Sequence, residues 1–75
     1  MQDALGVQPI DSVLEKLSLK NEDLVEASRE QLTYKQVQKA RQGRRITSNI
    51  KGKIVRALNA VAENEQYFEE NLFNY

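Results

Sequence analysis

Leu32-Thr-Tyr-Lys-Gln-Val-Gln-Lys-Ala-Arg-Gln-Gly-Arg-Arg-Ile46 is the stretch on which the fold turns. Thr33 and Gln36 form a T-x-x-Q capping box, in which each side chain accepts from the other residue's backbone N–H, and Leu32 just ahead of it can staple onto Val37. Lys39 and Arg41 sit in the last turn, where the helix dipole favours cations, and Gly43 supplies the left-handed residue that commonly closes a helix. Together these signals predict a helix over residues 33–42. At about 100° per residue, Thr33, Val37 and Ala40 fall on one side of it and Lys35, Gln38, Lys39 and Gln42 on the other. The inner side is small and apolar; the outer side carries only amides and ammonium groups.

Upstream, Asn21 offers an N-cap, with Glu22 and Asp23 in the first turn that follows, and Leu24, Val25, Ala27 and Ser28 complete a short second helix. Before it, Ser12 and Glu15 form an S-x-x-E box ahead of Val13, Leu14 and Leu17, which predicts a first helix over 13–19. Pro9 closes an N-terminal lead over residues 1–9. Downstream, a fourth helix starts near Thr47 or Ser48, with Ile50, Ile54, Leu58 and Val61 as its core-facing stripe and Gly52 as a tolerated weak point. Asn64 could cap a fifth helix with Phe68, Leu72 and Tyr75 on one face, or the fourth could run on through Glu63. No segment alternates with period two. The expectation is an all-α fold, a compact bundle of four to five short helices forming one domain over 10–75. A short acidic helix, a brief turn and a capped basic helix also make a helix-turn-helix.

Charge is segregated along the chain. Of its 75 residues, 11 are Lys or Arg and 11 are Asp or Glu, so the net charge is zero. Residues 1–30 hold seven acids against three bases, 31–62 hold eight bases and no acid, and 63–75 hold four acids and no base. A solvated helical surface normally mixes the signs, because Glu and Lys three or four residues apart stabilise a helix by roughly 0.2–0.5 kcal/mol per pair. The acid-free block either folds against the acidic ends, pairing its charges internally, or holds a positive face out for phosphates.

Several classes of function lack their residues. With no Cys and no His, the usual zinc sites, thiol chemistry and histidine base catalysis are missing. There is no Gly-rich phosphate loop and no pair of carboxylates whose spacing stands out, so an enzyme is not expected, nor a cofactor. No apolar run reaches the roughly 20 residues of a membrane span, the first residues lack a signal peptide's basic and apolar regions, and a small secreted domain usually carries disulfides. A soluble, cytoplasmic protein with no membrane partner is expected.

The residue types that remain are those that read DNA. Glutamine pairs bidentately with adenine, lysine reaches guanine O6 and N7, and Tyr34 can touch a thymine methyl. Arg44 and Arg45, past the helix, are placed for phosphates, and Lys51, Lys53 and Arg56 extend this into a backbone clamp at the start of the fourth helix. Arg56 has the alternative of pairing with a carboxylate of the first helix or of the C-terminal segment.

Over Leu32 to Asn59, and most clearly in Arg41-Gln-Gly-Arg-Arg45 and Arg56-Ala-Leu-Asn59, the chain resembles the phage-repressor and Cro-like (XRE-type) helix-turn-helix family. The resemblance implies a lambda-repressor-like fold with Thr33, Tyr34, Lys35, Gln38 and Lys39 in the major groove and Arg44, Arg45 and Thr47 flanking it. Two positions depart from the family pattern. Glu30 and Gln31 stand where the turn has its Gly, and Glu26 stands where an apolar residue packs. Either the turn is longer than usual, with Leu24 and Val25 doing that packing, or the two helices meet at another angle.

The function expected is sequence-specific binding of double-stranded DNA by a small transcriptional regulator, with base reading by Thr33, Tyr34, Lys35, Gln38, Lys39 and Gln42 and phosphate contacts from Arg44, Arg45, Thr47, Lys51 and Lys53. Phe68, Leu72, Phe73 and Tyr75 suggest a homodimer interface, although packing back onto the same core explains such residues as well. The competing expectation is a protein-interaction module on a helix-turn-helix scaffold, its basic face taking an acidic protein partner and no DNA.

Overall fold

A computed structural model describes residues 6–62 and 65–75. Among them are five helices and no strand: α1 (Pro9–Lys16), α2 (Asn21–Ala27), α3 (Tyr34–Gln42), α4 (Ser48–Val61) and α5 (Glu69–Leu72). The all-α bundle expected from the sequence is the fold observed. Asn64 and Glu63, the residues on which the start of a fifth helix was to be decided, lie outside the described residues.

The first helix starts earlier than its capping box implied. Pro9 takes the N1 position, where its fixed φ suits a helix and its missing N–H costs nothing, and extended Gln8 is the N-cap. Ser12 therefore lies inside the helix. The helix ends at Lys16, and Ser18 adopts a left-handed φ of 58°. Leu19 N–H then reaches back to the Leu14 carbonyl at 2.8 Å, which fixes the reversal into α2.

The cap of α2 also moves by one residue. Lys20 occupies the N-cap position, and the Asp23 carboxylate accepts its backbone N–H at 2.7 Å. Asn21 is thereby released from capping, and its side chain is buried at 4% exposure. Six residues, 28–33, separate α2 from α3, so the longer turn, the first of the two alternatives, is the one observed. Within it Gln31 takes the left-handed φ of 62°. Leu24 is in the core, Val25 is half-buried and Glu26 is exposed.

Helix α3 forms as its sequence dictates. Thr33 Oγ1 accepts from Gln36 N–H and Gln36 Oε1 accepts from Thr33 N–H, both at 3.1 Å. Gly43 closes the helix at φ 76°, and Arg44 N–H bonds to the Lys39 carbonyl at 2.9 Å. A Cβ at Gly43 would overlap the Gly6 carbonyl oxygen, so both the dihedral and the close approach demand glycine here.

The core joins Ile10 and Leu14 of α1, Leu24 of α2, Leu32, Val37 and Ala40 around α3, Ile54, Ala57 and Leu58 of α4, and Leu72 and Phe73 from the end of the chain. Helix α2 packs on both α3 and α4, and α1 lies between α3 and α5. Fully inside on α4 are Lys51, Ile54, Ala57 and Leu58, whereas Ile50 and Val61, expected in the central stripe, are half-buried at its margin. Gln8 ties the two ends of the described chain together at the end of α3. Its N–H donates to the Arg41 carbonyl at 2.9 Å, and its side-chain oxygen accepts from Asn74 N–H at 2.8 Å.

Candidate nucleic-acid interface

Because Val37 and Ala40 point into the core, α3 turns the opposite side to solvent, and Tyr34, Lys35, Lys39 and Gln42 are exposed there. Thr33, at the mouth of the helix, is exposed too, with its hydroxyl oxygen engaged in the cap. Arg44 and Arg45 follow directly, both exposed. Lys35, Lys39, Arg44, Arg45 and Lys53 make no ion pair among the described residues. Five of the eight bases in 31–62 thus remain available as cations.

The other three have partners within the fold. Lys51 is only 8% exposed. Its ammonium donates to the main-chain oxygen of Tyr75 and lies 4.0 Å from the centre of the Tyr75 ring and 5.6 Å from that of Phe73. This corrects the expectation that Lys51 contacts phosphate: a helix position three residues before Ile54 falls on the core side of α4, and the aromatic end of the chain covers it. Arg56 pairs with Glu30 of the α2–α3 turn through two bonds, Nε to Oε2 at 2.6 Å and Nη2 to Oε1 at 2.7 Å. The Arg56 hydrogen bonds, with its charge and that of Lys53 adding to them, hold the Glu30 carboxyl below its ordinary pKa, and Glu30 raises that of Arg56.

Arg41, the third, anchors a polar cluster that connects α1, α2 and α3. Its Nε donates to Asp11 Oδ1 at 2.5 Å and its Nη1 to Asn21 Oδ1 at 2.7 Å. Asn21 Nδ2 in turn donates to Gln38 Oε1 at 2.8 Å. Gln38 is therefore half-buried and tethered to α2, unlike its neighbours on the outer face. Tyr34, Gln38, Arg41 and Gln42 form one wall of an open cleft of about 620 Å³, whose other wall is Val7, Asp11 and the residues leading into α2.

The remaining expected residues divide by structural duty. Thr47 is exposed and caps α4, accepting Ile50 N–H at 3.2 Å. Leu72 at 0% and Phe73 at 4% exposure lie in this chain's own core, so the apolar surface expected for an interface between copies is already covered there. Phe73 meets Tyr75 edge to face at 6.0 Å, and Tyr75 donates its hydroxyl to the Arg44 carbonyl at 2.6 Å. Phe68, 58% exposed, is the one member of the expected set whose ring faces solvent.

Asp11, Asn21 and Gln8 were not singled out as site residues. Asn21 had one local signal, which pointed to a helix cap; the bonds that matter reach 17 and 20 residues along the chain. Among the described residues, no His, Cys, Asp and Glu cluster could hold a metal and no helix is long and apolar enough to cross a membrane. No family model matches the chain, and neither a curated protein nor a solved structure is similar to it.

Proposed function

We propose that this chain is a sequence-specific DNA-binding protein, a small transcriptional regulator that reads the major groove with α3. The observation that supports this most directly is the outer side of α3 and its exit loop. Lys35, Lys39, Arg44 and Arg45 stand exposed without an acidic partner among the described residues, beside the amides Gln38 and Gln42. Cations without carboxylate partners displace the counterions condensed on a polyphosphate, and that release is the main source of non-specific DNA affinity. The amides add donors and acceptors to it. A dimer on two-fold-related half-sites would space them roughly 34 Å apart, and Phe68, rather than Leu72, Phe73 or Tyr75, is the residue of the expected set left to support it.

Binding to random duplex DNA over a range of salt concentrations tests this reading. If the five bases without an ion pair among the described residues each displace a counterion, log K falls against log salt with a slope of about −4.5 per protomer. Arg44→Ala then weakens every duplex alike and lowers the slope by about one. A chain that binds no duplex at low salt, while capturing an acidic polypeptide, would instead be a protein-interaction module.

A further inference from the structure

Within the outer face of α3, the hydrogen-bonding polarity of one side chain is fixed before any partner arrives. A guanidinium has donors only, so the Asn21 atom that Arg41 Nη1 meets at 2.7 Å is the amide oxygen. Asn21 must therefore turn its NH₂ toward α3, and the atom of Gln38 that it meets at 2.8 Å is an oxygen in turn. Rotating either amide by half a turn would set donor against donor in a cluster where Asn21 is 4% exposed. Arg41 cannot shift to relieve this, because Asp11 holds its Nε at 2.5 Å and the two side chains are only 19% and 26% exposed. Every buried polar side-chain atom among the described residues has a partner, and a flipped amide in this cluster would lose its own.

An unrestrained glutamine offers both N–H and C=O, which is what lets it pair bidentately with adenine. Gln38 has its C=O directed at α2, where Asn21 occupies one of its lone pairs, and turns its N–H groups to the solvent side, so it meets a partner chiefly as a donor. We propose that Gln38 is a specificity-determining residue that acts as a donor, selecting a keto base, guanine ahead of thymine, at the base pair it meets. Guanine presents two adjacent acceptors, O6 and N7, and thymine presents O4, whereas the amino groups of adenine and cytosine oppose a donor. Asn21, Arg41 and Asp11 are positioning residues that set this polarity from behind. The proposal rests on the DNA-binding function proposed above.

Two experiments on the whole chain separate the orientation from its use. In the free protein, NMR should show a scalar coupling across the hydrogen bond from Asn21 Nδ2 to the Gln38 side-chain carbonyl carbon, with slowed exchange of the Asn21 amide protons. Its absence overturns the proposal whatever the protein binds. In selection from a pool of randomised duplexes, the wild type should enrich guanine at one position by roughly tenfold over adenine, and Gln38→Ala should abolish that preference and leave the other positions alone. Asn21→Asp puts an acceptor behind Gln38, turns its amide around and moves the preference toward adenine or cytosine. Gln38→Glu, which leaves the buried cluster intact, presents an acceptor and should favour cytosine. Enrichment of adenine by the wild type, or an unchanged base in both of these variants, overturns the proposal. A chain that shows the coupling yet selects no sequence marks the failure of DNA reading itself, and the proposal falls with it.

Discussion

Helices α3 and α4 draw their cations from the same acid-free stretch, yet they use them in opposite ways. Helix α3 and its exit loop leave Lys35, Lys39, Arg44 and Arg45 in solvent, while α4 sends Lys51 beneath two aromatic rings and Arg56 into a carboxylate of the α2–α3 turn. A count of charge along the sequence does not distinguish them. The partners do: Glu30 and the aromatic end of the chain return to α4 and not to the outer side of α3. Lys51 and Lys53 show how fine the division is, since two residues along α4 separate a buried ammonium from a half-buried one with no ion pair among the described residues.

Exchanging those two lysines for alanine gives the largest expected contrast. Lys51→Ala removes a charged hydrogen bond and a cation–π contact at a buried position, at a cost of about 2–3 kcal/mol. In a domain of this size the melting temperature should fall by roughly 10–20 °C. Lys53→Ala should stay within about 0.5 kcal/mol of the parent in stability and weaken DNA binding instead. Thermal denaturation and duplex titration of both variants decide it. Equal losses of stability would erase the distinction between an inward and an outward half of the basic stretch.

The same contrast explains how much could be read in advance. Everything that shapes α3 lies within twelve residues, from the Leu32 staple through the Thr33 and Gln36 box to Gly43, and the observed helix matches it. Where local signals compete, one of them prevails. Ser12 and Glu15 imitate a helix start, but Pro9 three residues earlier already satisfies the N1 position, and the structure uses it. What could not be read is what the fold brings from afar. Lys51 meets Tyr75, Arg41 meets Asp11 and Asn21, and Gln8 meets Asn74, pairings that depend on how the helices pack and leave no spacing in the sequence. The exposure of Tyr34, Lys35, Lys39 and Gln42 was legible because α3 sets it alone, whereas the tether of Gln38 to Asn21 comes from α2. The fate of the cations on α4 was not legible, because other elements decide it.

A smaller effect tests the turn that joins the two regimes. Gln31 holds a left-handed φ of 62° with its side chain exposed, next to the Glu30 that claims Arg56. Left-handed backbone costs a non-glycine residue roughly 1–2 kcal/mol, part of which glycine returns through the greater freedom of its unfolded chain. Gln31→Gly should therefore stabilise the domain by about 0.5 kcal/mol in urea denaturation, with DNA affinity unchanged. A destabilised variant would mean that the Gln31 side chain holds the turn through contacts of its own.

The smallest effect concerns the surface pair that occupies the Arg56 guanidinium. Glu30 has its pKa lowered in the folded state, first by the Arg56 hydrogen bonds and then by the charges of Arg56 and Lys53. A depressed carboxylate contributes stability that is present above its unfolded pKa and is lost as pH falls through the folded one. The stability difference between the wild type and Glu30→Gln should accordingly be seen near neutral pH and close as the solution is acidified below about pH 4. It should also shrink with added salt, because the side chains of Arg56 and Glu30 are 58% and 37% exposed and solvent screens such pairs. Parallel stability curves for the two proteins across the acid range would remove the pair from the fold's electrostatics. The same variant also acts on DNA binding: with its carboxylate gone, Arg56 rejoins the free cations and the salt slope steepens by about one. A slope left unchanged would show that Arg56 faces away from the DNA even when released, and that α4 contributes to the interface through Lys53 alone.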